Sequence, residues 1–465
     1  MALRFKNSYS RKAEEFKPID EGKVRMYTCG PTVYLFAHIG NFRTFIFEDL
    51  LRRYLKYKGY QVTQVMNITD IDDKIIRDSQ KQGKGLKEFT EPYTKAFFED
   101  IDVLGIERVE HYPHATAYIK QMVEIVKKLV ANGMAYEIKG NYYFKISAFK
   151  DYGKLAHLDM EGLKPGARVA SDEYEKESVS DFALWKAWDE KDGSIFWETD
   201  IGKGRPGWHL ECSAMSMEIL GEHFDIHTGG VDNMFPHHEN EIAQSEGATG
   251  RKFVNYWLHS EYLIVEGKKM SKSLGNYYTL RDVLDKGYSG KAVRYALIST
   301  HYRQQLNFTF EGLDAARNSL ERYNDFISNL KDYEGGESDN TASGIIEKAK
   351  TDFENSLDDD LNISAALAAV FDLIRDINRL KAENKLSAQE RDSALELVAR
   401  FDTVLNFAAE SKGSLDEQVE ALIEERNQAR VDKDFATSDK IRDQLLEMGI
   451  ILEDTPQGVR WKKKV

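Results

Sequence analysis

Cysteine is almost missing: 465 residues hold two, Cys29 and Cys212. Two thiols cannot build the disulfide framework of a small secreted domain, so a reducing cytoplasm is the default compartment. From composition alone the pair has three readings: one bridge, two small buried side chains, or shared ligation of a metal. Also missing is any run approaching the ~20 apolar residues that span a bilayer, so no membrane partner is expected. The first residues, Met-Ala-Leu-Arg-Phe-Lys, are charged early and lack the apolar stretch of a signal peptide. Positive charge is scarce too: 64 Lys and Arg against 78 Asp and Glu leave a net charge of −14. That lowers the case for a nucleic-acid partner without excluding it, because binding needs only a local basic face.

What is present is enough for several cores. The hydrophobic fraction of 42% is that of a globular protein, and the length suggests about two to four domains. The chain is organised around one stretch near its front. Val24 to Thr28 reads as a short buried strand that stops at Cys29-Gly30-Pro31. His38-Ile-Gly-Asn41 follows, with a helix starting and capped at Asn41 and apolar positions at Phe42, Phe45, Ile46, Leu50, Tyr54 and Tyr57. Gly59 stops it, and Gln61 to Asn67 reads as a second strand. Such a strand–helix–strand unit carries special residues at the C-terminal end of its first strand, where open parallel sheets bind nucleotides.

Beyond it, Thr69, Asp70, Asp72 and Asp73 read as a helix cap with an acidic first turn, or as ligand groups at a strand mouth. Ile119 to Val130 is a helix. Ala135 to Ile146 reads as a hairpin turning near Gly140-Asn141. Residues 150–195 suggest an irregular insertion. The sheet is expected to resume at Gly204 to Ser213, with a helix from there to Leu220. His223 to Asp232 reads as a strand ending in glycines, and Phe235-Pro-His-His opens a helix with Pro236 near its first turn. His237 and Glu241, four apart, share one face of it. Gly267-Lys-Lys-Met-Ser-Lys-Ser-Leu-Gly275 is a lysine-rich loop. Helical periodicity over Leu313–Leu330, Ile345–Leu357, Ser364–Leu380 and Ser387–Ala408 predicts a bundle. The chain ends in two helices and a hairpin turning at Pro456-Gln457-Gly458. Residues 411–465 carry ten Lys/Arg and twelve Asp/Glu, far closer to neutral than the whole.

Two stretches gain meaning together. His38-Ile-Gly-Asn41 and Lys269-Met-Ser-Lys-Ser273, in this order, resemble the signature pair of class I aminoacyl-tRNA synthetases. An imidazole and a helix N-terminus suit phosphates, glycine allows close approach of adenine, and lysines supply charge where pyrophosphate leaves. Within that class the chain resembles the cysteinyl-tRNA synthetases over its whole length. Thr28-Cys-Gly-Pro-Thr-Val-Tyr, Asn67-Ile-Thr-Asp-Ile-Asp-Asp-Lys, Gly204-Arg-Pro-Gly-Trp-His-Leu-Glu-Cys-Ser and Met234-Phe-Pro-His-His-Glu-Asn-Glu-Ile-Ala-Gln-Ser carry the match. Asn41 departs from the general pattern, which often has His there; Asn can still cap the helix and donate a hydrogen bond.

The resemblance implies an α/β fold: a Rossmann-like parallel-sheet catalytic domain with an inserted subdomain, then a helical bundle and a small α+β C-terminal domain. The expected boundaries are 1–110 and 201–305 for the catalytic halves, 111–200 for the insertion, 306–410 for the bundle and 411–465 for an anticodon-binding unit. It implies a ligase that activates L-cysteine with ATP and transfers it to tRNA(Cys), as a cytoplasmic monomer. A related ligase that transfers cysteine to an aminosugar is the alternative, but it lacks the C-terminal unit. One Zn2+ is implied on Cys29, Cys212, His237 and Glu241, with His238 the neighbouring candidate. Zinc prefers a thiolate to an alcohol, which would separate cysteine from serine where size gives little discrimination. Mg2+ is expected with ATP. His38, Asn41, Lys269 and Lys272 are the implied catalytic groups; Gly40, Asp232 and Ser271 join His38 and the lysines at ATP. Cys29, Gly30, Thr69, Trp208, His209 and His227 are implied around the amino acid. Arg430, Phe435, Asp439 and Asp454 are implied at the anticodon, with Lys462 to Lys464 near phosphates.

Overall fold

Strand Lys23–Thr28 is buried on both faces, with Val24, Met26 and Tyr27 fully enclosed. That pattern requires cover on each side, which a parallel sheet with crossover helices supplies. The computed structural model describes residues 1–158, 181–338, 340–409, 414–432, 434–455 and 458–463. Several side chains near the C-terminus, Asp454 and Lys462 among them, lie outside that description.

Lys23–Thr28 pairs in parallel with Gln61–Met66 on one side and with Phe224–Gly230 on the other. Val254–Ser260 completes this four-stranded sheet beyond Phe224–Gly230. The chain leaves its first strand toward one edge and returns on the opposite side. That reversal opens a crevice at the C-terminal strand ends, the usual ligand position of such sheets. Helix Ile39–Tyr57 covers one face. Trp208–Leu220 packs on the other, in a second core with Tyr27, Val65 and Phe224.

Between the two halves lies a five-stranded antiparallel sheet. Its order is Ala135–Ile138, Asn141–Phe144, Phe182–Ala187, Gly202–Pro206 and Trp197–Thr199. The expected hairpin is its first pair. Two expectations are corrected here. The parallel sheet does not resume at Gly204; Gly202–Pro206 pairs antiparallel with Phe182–Ala187 inside the insertion. Trp208 to Cys212 is not strand either, since the helix begins at Trp208. The stretch 150–195 is also more regular than its composition suggests where it is described, because Phe182–Ala187 is a mostly buried strand.

The four expected bundle helices are Phe310–Lys331, Thr341–Asp358, Ile363–Ala382 and Ala388–Leu405. Their apolar faces merge with the core under helix Ile39–Tyr57. Helices Ser414–Val431 and Phe435–Glu447 and the hairpin Ile450–Thr455/Gly458–Lys463 form a separate unit around Val419, Ile423, Ile441, Leu445 and Ile450. The expected turn residues Pro456 and Gln457 lie outside the described residues. No helix among the described residues is long and apolar enough to cross a membrane.

Candidate active site and metal cluster

A cleft of about 1010 Å3 opens at the C-terminal ends of the parallel strands. Its floor is built where strand Lys23–Thr28 ends. Cys29 donates its N–H to Thr228 O at 3.2 Å, continuing the ladder by one residue. Gly30 must be glycine: a Cβ there would lie 1.8 Å from Asn67 O, while its N–H reaches Asn67 Oδ1 at 2.9 Å. Asn67 also donates to Thr69 Oγ1 at 3.0 Å, and Thr69 donates to Glu211 Oε2 at 2.9 Å. The cap of the next helix is Asp72, whose carboxylate accepts from Ile75 N, so Thr69 is not the cap and faces the cleft instead.

Cys29 and Cys212 are both free and buried, which removes the single-bridge reading. They join His237 and Glu241 in a quartet whose donor atoms all lie within 4.8 Å of one another. Helix Trp208–Leu220 brings Cys212. His237 and Glu241 come from the turn Met234–His238 and the helix Glu239–Thr249 that follows it. Phe235 breaks the helical path there (φ −139°, ψ 130°), so the regular helix starts later than Pro236 suggests. His237 Nε2 lies 3.0 Å from Glu241 Oε1, as their four-residue spacing requires. Glu241 Oε1 has no properly aligned hydrogen-bond donor although it is fully buried. An unsatisfied buried carboxylate oxygen beside two thiols and an imidazole suits a bound cation. Hydrogen bonding from Cys212 pushes the Cys29 thiol up. Cys212 is driven down: burial opposes ionisation, but hydrogen bonding from Cys29 and the charge of His237 outweigh it. One thiolate is thus favoured before any ion binds.

A second quartet, Cys29, His227, His238 and Glu241, shares two members with the first. His227 Nε2 lies 2.9 Å from Glu241 Oε2, and His238 Nε2 lies 3.2 Å from Cys29 Sγ. His238 continues through Nδ1 to His259 Nε2 (2.8 Å), and His259 reaches Ser8 Oγ (2.8 Å). Burial holds His238 and His259 well below the usual imidazole range. Only the first quartet borders the cleft through three members, Cys29, Cys212 and His237; His227 and His238 lie behind it. Trp208 stacks on His237 at 4.3 Å and 22°, and His209 Nδ1 meets His237 Nδ1 at 2.9 Å. The Trp208 side of the cluster therefore faces the cleft. His227 instead stacks on Trp257 at 4.5 Å beneath it.

The other end of the cleft gathers the two signature stretches. The expected helix start is corrected: helix Ile39–Tyr57 is capped by His38, not Asn41. His38 Nδ1 accepts from Asn41 N at 3.2 Å, and Asn41 Oδ1 accepts from His38 N at 3.1 Å. Asn41 thus closes a reciprocal capping box. Burial lowers the His38 imidazole below its ordinary value, against the opposing charge of Asp232. A Cβ on Gly40 would come within 3.0 Å of the His38 ring and 3.2 Å of Met270 Cε, so glycine leaves room there for the capping imidazole and for the first residues of the lysine loop. The loop itself is a tight hairpin of Leu263–Val265 and Lys268–Lys269, followed by the turn Lys272–Leu274, which Ser271 caps. Asn276 pins it by accepting from Ser271 N (2.9 Å) and donating to Lys269 O (3.2 Å). Asp232 follows the strand end Phe224–Gly230 and lines the cleft with Gly230 and Lys269. Ser271 and Lys272 lie just outside the lining.

In the C-terminal unit Arg430 and Asp439 are exposed, and Phe435 is 63% exposed, so it is no core aromatic. The Asp454 side chain lies outside the described residues. Glu211, Asn67 and His259 are residues around the site that a reading by motif does not single out, whereas His238, the neighbouring metal candidate, falls in the second quartet. For Glu211 and Asn67 the available signal is position: one adjoins Cys212, the other begins the Asn67-Ile-Thr block.

Comparison with known proteins agrees with this layout. Residues 15–318 match the family described as tRNA synthetases class I (C) catalytic domain, 352–409 match the DALR domain, and 412–461 match the Cysteinyl-tRNA ligase anticodon binding domain. A cysteine–tRNA ligase of Protochlamydia amoebophila (strain UWE25) is 52% identical over 99% of this chain and 98% of that protein. One of Brachyspira hyodysenteriae is 51% identical over 99% of each. In fold, a Mycobacterium tuberculosis methionyl-tRNA synthetase in complex with methionyl-adenylate superposes with a TM-score of 0.61 at 15% identity, over 83% of this chain and 90% of that one. With a catalytic model spanning most of the chain and relatives at half identity over its full length, the chain belongs to the cysteine–tRNA ligases, a family of class I aminoacyl-tRNA synthetases.

Proposed function

We propose that the chain activates L-cysteine with ATP and transfers it to tRNA(Cys). The observation that carries this reading is the meeting, on one cleft, of the thiol–imidazole–carboxylate quartet at one end and the His38–lysine-loop pair at the other. Cys29, Cys212, His237 and Glu241 would hold Zn2+. A zinc ion there supplies a soft Lewis acid that discriminates a thiolate from an alcohol. Trp208, stacked on His237, walls the amino-acid end, with Thr69, His209 and Gly30 beside it and His227 behind. The cysteine carboxylate attacks the α-phosphate of ATP, giving cysteinyl-adenylate and pyrophosphate. No protein nucleophile is needed; orientation and charge stabilisation do the work. His38 and the start of helix Ile39–Tyr57 face the phosphates, with Asn41 holding the cap in shape. Gly40 and Asp232 adjoin the adenosine. Lys269 and Lys272, with Ser271 shaping the loop between them, offset charge on the departing pyrophosphate, and Mg2+ accompanies ATP. The terminal ribose hydroxyl of the tRNA then attacks the adenylate carbonyl, the acyl–phosphate bond breaks, and AMP leaves with cysteine esterified to the ribose. Arg430, Phe435, Asp439 and Asp454 would meet the anticodon, with Phe435 as a stacking surface.

The match of residues 412–461 to an anticodon-binding domain favours tRNA over an aminosugar as acceptor. The test is cysteine-dependent ATP–pyrophosphate exchange with serine as competitor, run beside metal analysis before and after chelation. Exchange with cysteine but not serine, lost in metal-free protein and restored by Zn2+, is expected. Full exchange in protein shown to be metal-free would remove the metal from the mechanism.

A further inference from the structure

Tyr277 belongs to neither signature stretch, yet it touches both. Its ring meets the His38 imidazole edge-on, with centroids 5.2 Å apart at 79°. The Lys272 ammonium lies 5.1 Å from the centre of the same ring. The tyrosine lines the cleft, and the backbone on each side of it is tied down. Asn276 is bonded to the lysine loop, Tyr278 O accepts from Ile39 N at 3.0 Å, and Thr279 bridges His38. The ring is therefore placed by two anchored neighbours. Among the described residues no carboxylate forms an ion pair with Lys272, so the ring is the group facing its charge.

An aromatic ring carries negative potential on its faces and positive potential at its edge. A lysine on a surface loop otherwise samples many rotamers, and fixing it when ligand arrives is unfavourable. We propose that Tyr277 is a positioning residue that holds Lys272 and His38 toward the phosphate end of the cleft before ATP binds. The inference rests on the proposed reading of that cleft as an ATP site. It differs from a packing role in a testable way: the ring should matter, and the hydroxyl and the bulk should not.

The test is MgATP binding by calorimetry to Tyr277→Ala, Tyr277→Leu and Tyr277→Phe in the full-length protein, without cysteine. Loss of the ring should weaken MgATP by about twofold to fivefold, the range of an exposed cation–ring contact. Alanine and leucine should be equally weak, and phenylalanine should restore the affinity. Leucine restoring it would overturn the proposal in favour of packing. Phenylalanine behaving like alanine would overturn it in favour of the hydroxyl. No change in the alanine variant would overturn it outright. Wild-type cysteine-dependent exchange is measured alongside. Its absence would count against the cysteine-ligase reading, while the order of MgATP affinities would still decide the role of the ring.

Discussion

Glu48 is a full carboxyl buried in the middle of the signature-bearing helix. Its Oε1 accepts from Thr228 Oγ1 at 2.8 Å, and its Oε2 has no hydrogen-bond partner. Burial pushes its pKa from 4.5 to about 8, against the smaller opposing effect of Thr228. Below about pH 4.5 the group is neutral in both folded and unfolded chains. Between there and pH 8 the unfolded chain gains by ionising and the folded one does not, so stability falls as pH rises. Glu48→Gln keeps the hydrogen-bond acceptor and removes the titration. Its stability advantage should grow between pH 5.5 and 7.5 by up to about 3 kcal/mol, at 1.36 kcal/mol per pH unit. Urea midpoints at the two pH values check this; an unchanged gap between variant and wild type would contradict it. Glu48 also shows what single residues conceal. Flanked by Phe47 and Asp49, it reads as a helix surface charge, and only the partner strand reveals that it is enclosed. Cys29, His38 and Lys269 were legible because their motifs are local in sequence. His259 was not, because its place in the histidine chain depends on a neighbour 21 residues away, His238.

Elements were legible where periodicity is long. The expected strand Val24–Thr28 is found at Lys23–Thr28, and the four bundle helices lie within a few residues of their expected limits. The failure came at Gly204 to Ser213, a stretch with two glycines where the parallel sheet was expected to resume. Both are there for close approach: a Cβ on Gly204 would lie 2.2 Å from Lys186 O, and one on Gly207 2.1 Å from Ala183 O. Tertiary packing of the insertion, invisible in a single strand's composition, decides that segment. How elements are joined is testable at Asp49. Its carboxylate accepts from Arg294 Nη2 at 2.5 Å, from Arg53 Nε at 2.7 Å and from Glu107 N at 2.8 Å. Arg294, fully buried, also donates to Leu405 O at 2.8 Å, tying the signature-bearing helix and helix Gly290–Ile298 to the bundle. Asp49→Ala leaves the guanidinium without its carboxylate and should cost about 3–5 kcal/mol. Adding Arg294→Met should recover at least half of that loss, because the unpaired charge is then gone. Chemical unfolding of the single and double variants measures it; a double variant less stable than the single would refute the ion pair as the source.

At the scale of the molecule the cores divide the chain unequally. One core runs from Leu3 through the signature-bearing helix to Phe407, so bundle and parallel sheet share apolar contacts. The C-terminal unit has its own small core of Val419, Ile423, Ile441, Leu445 and Ile450, and none of these belongs to the large clusters. Every residue placed around the cleft precedes residue 306, whereas Arg430, Phe435 and Asp439 lie beyond the connection at 410–413. The charge distribution matches that division. Residues 411–465 contribute ten positive and twelve negative groups, so nearly all of the −14 excess belongs to the rest, which would repel a polyanion except at local basic faces. A chain ending at Ala409 loses no member of the two larger cores. It should therefore fold and keep cysteine-dependent pyrophosphate exchange within about twofold, since activation needs only the cleft. Its aminoacylation of tRNA(Cys) should fall by 10- to 100-fold, because losing the proposed anticodon contacts would remove about 1.4 to 2.8 kcal/mol of binding at about 1.4 kcal/mol per tenfold. The two assays on one preparation separate the scales. Loss of exchange together with charging would mean that the small unit supports the cleft, and unchanged charging would remove the anticodon role from Arg430, Phe435 and Asp439.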